Sequence, residues 1–318
     1  MGMVGSIATA RAINSGPASH AKNPGFNCTA LRNSFTLLLA IVLGIGGPSA
    51  ALGDYVFTNF DVPQSIHTFA FGIDSAGQVV GTYIDNSGVH GFLRSADGST
   101  YTTFDGPDGI GSTQAYDINA DGLIVGYYQD RSGLAHGFLR SADGSTYTTI
   151  DHPLSAFGTF GSGISDAGQV VGAYNDSSGV TRGFERSADG STYTTLDALP
   201  GGTIADGINA AGLIVGGSGG HGFLLSADGS TYTIFDVPGA VGTSPWGINT
   251  DGQIVGSYAD SSFVAHGFLL SADGSSYTNI DDPDGVITLA YRINDAGQIV
   301  GYYQDSSGQN HGFIATPI

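Results

Sequence analysis

Beyond residue 51 the sequence has no cysteine and no lysine. Without cysteine, neither disulfides nor thiolate metal sites can hold the fold, so burial and closure must do it. Six arginines stand there against 28 acids, a net charge of −22. Nucleic acid and anionic membranes need a positive face, so neither is expected as a partner. No helical period of apolar residues occurs past residue 51, which leaves strands as the regular element. Long apolar runs are missing too. The run FTLLLAIVLGIG at 35–46 is well short of the ~20 residues a spanning helix needs.

That run has the length of the apolar core of a secretory leader. Residues 1–51 contain Arg11, Lys22 and Arg32 but no acid, and PSAALGDY follows with small residues suited to cleavage near Ala50 or Ala51. The stretch before the core is long for a signal peptide, as it would be if Met1 lay upstream of the real start. Cys28 precedes the core, which excludes a lipid-modified cysteine after it. The expectation is a leader at 1–51 and one all-β domain at 52–318, secreted to the periplasm or beyond. After leader removal the chain has no segment for membrane insertion, and its like charge favours a monomer.

What the chain has in abundance is repetition. HGFLRSADGSTYTTFD at 90–105 recurs almost unchanged at 136–151, with relatives starting at Arg182, His221 and His266. Each reads as a β-hairpin, two β-branched or aromatic runs joined by Ser-Ala-Asp-Gly, where Asp bonds its own backbone and Gly accepts positive φ. A sixth copy, HGFIATPI from His311, stops halfway, and its missing half stands at the front as YVFTNFD, 55–61. The Gly of Gly-Phe falls at 91, 137, 183, 222, 267 and 312. Every unit also carries an Ile-Asn-like element (Ile73, Ile118, Ile164, Ile208, Ile248, Ile293) followed by Gly-x-(Val/Ile)-Val-Gly.

Four short strand signals per ~45 residues match the period of propeller blades. The spacing predicts a six-bladed β-propeller of four-stranded blades, with strand a innermost and strand d outermost. The ring closes by pairing 55–61 with 312–316. A β-solenoid or β-prism has no reason to split one hairpin between its two ends. The residue before the centre of strand a is small in every unit (Ala70, Ala115, Gly161, Ala205, Pro245, Ala290), as converging inner strands require.

The units with GQIVG or GLIVG followed by (His/Arg)-Gly-Phe resemble the HAF family of bacterial extracellular repeat proteins, over residues 55–318. This chain writes His-Gly-Phe where the family label has His-Ala-Phe. The resemblance implies secretion and a repeat fold, and no particular activity.

Chemistry is sparse. The repeated histidines (90, 136, 221, 266, 311) open strand c in mid-blade, too far apart for a metal ring, and each is expected to bond local backbone. SADGSTY is similar to the Asp-box of sialidases but one residue shorter. Arg94, Arg140 and Arg186 are repeat-equivalent and point around the rim, so they make no arginine triad. Ser218 in GGSGG lacks the strand–turn–helix setting of a nucleophile elbow and reads as turn chemistry. Aspartates after strand d and in the b–c loops read as turn caps. Asp105 with Asp108, and Asp281 with Asp284, are the candidates for weak Ca²⁺ binding; otherwise no cofactor is expected.

Positions where the repeats disagree are the more informative. At the start of strand a stand Phe71, Tyr116, Ser162, Asp206, Trp246 and Tyr291, and just after come four glycines, Asp117 and Arg292. Placed at a channel mouth, Phe71, Tyr116, Asp117, Asp206, Trp246, Tyr291 and Arg292 would suit a sugar or small polar ligand, by stacking and directed charge. The same aromatics could instead fill gaps between blades. The reading is a non-catalytic binding or scaffold propeller for extracellular glycan or protein. The alternative is a polysaccharide-acting hydrolase or lyase on the same fold, which would need two carboxylates ~5–10 Å apart.

Overall fold

The computed structural model describes residues 55–107, 112–198 and 200–318, and the leader at 1–51 lies outside them. The described residues form 24 strands in six four-stranded antiparallel sheets, a six-bladed β-propeller. Strand β1 (Tyr55–Phe60) comes first. Blade 1 is β2 (His67–Ile73), β3 (Val79–Ile84), β4 (Val89–Arg94) and β5 (Tyr101–Phe104). Blades 2 to 5 repeat this plan from Thr113 to Ile150, Thr159 to Leu196, Thr203 to Phe235 and Gly242 to Ile280. Blade 6 takes three strands from the C-terminus, ending in Asn310–Pro317, and β1 from the N-terminus. Tyr55 faces Pro317 and Phe60 faces Gly312, so the ring closes as the split hairpin predicts.

The link between the Val-Gly and Gly-Phe elements is steric. Gly81 on strand b faces Phe92 on strand c, and a Cβ there would come 2.0 Å from the Phe69 carbonyl and 2.8 Å from the Phe92 ring. Phe92, Phe138, Phe184, Phe223, Phe268 and Phe313 are all fully buried. Each contributes ~1.5–3 kcal/mol by burial, so every blade carries its own small core.

Six hydroxyls tie each strand d to the next strand a. Thr68, Thr113, Thr159, Thr203, Thr243 and Thr288 each accept from the backbone N–H that follows the closing Asp, at 2.7–3.0 Å. We call the face with the d–a connections and b–c turns the upper face, and that with the a–b and c–d turns the lower face.

Candidate functional site

Strand a of each blade is bulged at its centre. In blade 1 the register slips between Ala70 and Gly72, leaving Phe71 as the extra residue, and the corresponding step recurs in the other five blades. The bulge brings backbone to the axis. A Cβ on Gly72 would lie 2.7 Å from the Asp117 backbone, and on Gly207 it would lie 2.8 Å from the Trp246 carbonyl. Four glycines at this level leave room for two side chains, Asp117 and Arg292.

Arg292 fills the axis. Its Nε is 3.1 Å from Asp117 Oδ1, and both side chains are buried. Its Nη2 donates to the Ser162 carbonyl at 2.6 Å and to the Asp206 carbonyl at 2.8 Å, and its Nη1 donates to the Trp246 carbonyl. The Asp117 carboxylate accepts from the backbone N–H groups of Ile118 and Ile164, both at 3.0 Å. Burial pushes the Asp117 carboxyl up, while Arg292 and the Ile164 N–H pull it back.

Below this pair, on the lower face, opens a funnel of about 80 Å³. That is room for a few waters or one small polar group. Its wall is the ring of a–b turns. The Asn119 amide donates to the Ser165 carbonyl of the next blade, Asn209 to Asn249, Asn249 to Asn294, and Asn294 to Asp74, at 2.9–3.5 Å. These amides staple blade to blade around the mouth. Asp74 and Ser165 occupy the same position but have no amide to donate. The Asp74 carboxylate accepts instead from the backbone and side chain of Gln78.

Above the pair the axis is apolar. Phe71 stacks on Tyr116 with ring centres 4.9 Å apart and meets Tyr291 at 4.7 Å, and Trp246 stacks on Tyr291 at 4.9 Å. All four are buried, in one cluster with Tyr127, Phe160 and Tyr302. The structure therefore gathers the seven residues singled out from the sequence, but divides them. Asp117 and Arg292 floor the lower funnel, Asp206 lends Arg292 its carbonyl, and the four aromatics cover one another.

The histidines differ from expectation in their partner. Each Nδ1 meets the aspartate that ends strand d: His90 with Asp105 at 2.7 Å, His136 with Asp151, His221 with Asp236, His266 with Asp281 and His311 with Asp61. In four of these blades Nε2 faces a second aspartate in the b–c turn at 3.4–3.8 Å. Arg182 makes both contacts in blade 3, to Asp176 at 2.7 Å and Asp197 at 2.8 Å. The side-chain bond from Asp281 raises the pKa of His266.

Of the calcium candidates, Asp105 and Asp281 are the histidine partners just described, and in the d–a turn after Asp281 the Asp284 N–H donates to the Asp282 carboxylate at 2.9 Å. Asp108 lies outside the described residues. Among the described residues no three acids or histidines are grouped as metal ligands. Asp97, Asp143, Asp189, Asp228 and Asp273 each accept bonds from the serines of their own c–d turn, which hold their carboxyls down at about 2. Arg94, Arg140 and Arg186 are buried under those turns, Arg94 and Arg140 lying 4.8 and 4.5 Å over the rings of Phe60 and Phe104. The Ser218 hydroxyl donates to the Gly202 carbonyl at 2.8 Å, a structural role.

Two further features were not read from the sequence. A concavity of about 400 Å³ lies between blades 3 and 4, against Arg182, Pro200 and Gly202. The other is the distribution of exposed apolar residues. Among the described residues ten large ones are exposed, and seven stand on the upper face. Ile66, Leu154, Val241 and Val286 are on d–a connections, and Leu134, Val180 and Phe263 are at b–c turns. They stand one to a loop around the face, with Val241 and Phe263 on adjoining loops.

No family model matches this sequence, and no curated protein matches it significantly. Solved structures do match in shape. One is a structure assigned to TolB from Agrobacterium tumefaciens, with 14% identity, TM-score 0.55, and 79% of this chain covering 91% of that one. Another is TolB from Acinetobacter baumannii, with 12% identity, TM-score 0.50, and 68% of this chain covering 54% of that one. At these identities the likeness shows the fold alone.

Proposed function

We propose that the chain is a secreted, monomeric, non-catalytic binding module that receives another protein on its upper face. The observation that carries this is the gathering of exposed apolar side chains there. The buried axial aromatics favour a protein over a glycan, because rings that cover one another have no face left for a sugar. For the alternative hydrolase or lyase, the inner strands supply two buried carboxylates set two blades apart, Asp206 and Asp117, the latter already engaged by Arg292 and two N–H groups. Secretion rests on the leader and on the resemblance of the Gly-Gln-Ile-Val-Gly and His-Gly-Phe units to HAF-type repeats. No helix of the described residues is long and apolar enough to cross a membrane.

The absence of cysteine after residue 51 makes the test clean. A single cysteine is placed at Leu154 on the upper face or at Asp166 on the lower, and each is capped with a bulky polyethylene-glycol maleimide. The protein is then screened on arrays of defined proteins, peptides and glycans. Binding to protein or peptide spots, blocked by the cap at 154 and not at 166, supports the reading. Binding to glycans alone, or blockage from 166, contradicts it.

A further inference from the structure

Four of the six b–c turns, in blades 1, 2, 3 and 6, share the sequence Asp-x-Ser-Gly. Gly133, Gly179 and Gly308 end three of them at φ 85°, 79° and 87°, with no atom near enough to contact a Cβ. In blade 5 the turn is Asp260-Ser261-Ser262-Phe263, and Phe263 takes that place at φ 63°. A bulky residue in the left-handed region is strained, and glycine would hold the turn without strain. The ring brings no burial in return, since Phe263 is 55% exposed. A costly conformation kept with its side chain in solvent points to a use outside the fold.

The turn is held firmly. Asp260 Oδ1 accepts from the N–H of Ser262 at 2.8 Å and of Val264 at 2.9 Å, and the Phe263 N–H donates to the Asp260 carbonyl. Val264, the next residue, packs on the axial apolar cluster. On the adjoining connection, Val241 is 52% exposed and its N–H donates to the Ala259 carbonyl, beside the same turn. Blade 5 thus presents two exposed apolar side chains on adjoining, hydrogen-bonded loops.

Charge selects the partner. Four of the six arginines beyond residue 51 are buried, and Arg182 is committed to two aspartates, which leaves Arg131 as the exposed cation among the described residues. Beside Phe263 stand Asp260 and, across His266, Asp281, their side chains 37% and 36% exposed. We infer that Phe263 and Val241 anchor a basic segment of a partner protein, its apolar side chain against the Phe263 ring and its lysines or arginines against the aspartates. This rests on the upper-face reading and narrows it to blade 5 and to a cationic partner.

The test uses fluorescent synthetic peptides in three panels. The first has a central Leu, Phe or Trp flanked by Lys and Arg. The second has Glu in place of the basic residues, and the third has Ser in place of the apolar one. Anisotropy is measured with residues 52–318 at low and moderate salt, for wild type and Phe263→Gly. That substitution changes no charge and supplies the residue the other turns use, so non-specific attraction to an acidic protein is unaffected by it. The expected result is binding of the first panel alone, weaker at higher salt, and lowered about tenfold or more in Phe263→Gly. The variant should melt no lower than wild type. Equal binding by Phe263→Gly, equal binding of the other panels, or no binding overturns the inference. If Leu134→Ser abolishes binding and Phe263→Gly does not, the upper-face reading stands and the blade 5 assignment falls. A concentration-dependent dimer in sedimentation, lost in Phe263→Gly, would assign the anchor to a second copy instead.

Discussion

Arg292 Nε lies 3.1 Å from Asp117 Oδ1, joining blade 6 to blade 2 at the level where the other four inner strands carry glycine. One ion pair fills the space that four missing side chains leave. Arg292→Gly strands a buried carboxylate and should cost about 3–5 kcal/mol. Asp117→Gly with Arg292→Gly should cost less than the two single losses together. A double-mutant cycle on urea midpoints decides this, and simple additivity would show that the pair is not coupled.

The amide ring around the lower mouth is incomplete at Asp74. Asp74→Asn would keep the acceptor for the Gln78 N–H and add a donor aimed at the carbonyl of Asn119, as Asn294 has toward Asp74. The expected gain is about 0.5–1.5 kcal/mol, read as a higher melting temperature. The reverse change, Asn294→Asp, should lower it. A lower melting point for Asp74→Asn would mean that the staple depends on more than the amide.

Two positions after strand d test the pH dependence. Val62 and Val237 fill this place in two blades, whereas blades 2 and 5 supply His152 and Asp282, both buried. Burial lowers the pKa of His152, whose ring stacks on Tyr174 at 3.7 Å. The unfolded chain then takes up the proton first, so stability is lost as pH falls below about 6.5. Burial raises the pKa of Asp282, which costs stability at neutral pH and less as pH falls toward the ordinary carboxylate range. His152→Val should therefore raise the melting temperature most near pH 5, and Asp282→Val most near pH 7. Parallel pH profiles for the two variants would refute the assignment.

Ring closure can be tested by shortening the chain. Phe313 is buried at the seam of blade 6 with blade 5, and Ile314 at its seam with blade 1. Deleting 312–318 removes ~1.5–3 kcal/mol of burial for each and frees the edge of β1, out of a typical total of ~5–15 kcal/mol. The truncated protein should aggregate or melt far below a control lacking the leader alone. An unchanged monomer would contradict closure.

The blades were legible because their signals are local and repeated. Asp-Gly turns set the hairpins, Val-Gly and Gly-Phe pairs set the strands, and a hairpin cut in two reported the ring. The axis was less legible. That Phe71 and Trp246 project inward follows from the sequence break at those positions, but which end of the channel stays open depends on the bulk added by Tyr127, Phe160 and Tyr302 from elsewhere. The histidine partner was missed because Asp105 lies fifteen residues from His90 and is adjacent only once strands c and d pair. Two signals were present and unused. The Asn of Ile-Asn repeats for its amide, and Phe263 departs from Asp-x-Ser-Gly as plainly as Trp246 departs from its own column.

A partner received on the upper face, and not in the axial funnel, should protect the loops of that face. Hydrogen–deuterium exchange of residues 52–318, free and saturated with a basic peptide bearing one Leu or Phe, measures this. The expected result is slowed exchange at 239–242 and 260–265 with the a–b turns unchanged. Protection at 74–75, 119–120 and 294–295, with 260–265 unaffected, would place the ligand in the funnel and contradict it.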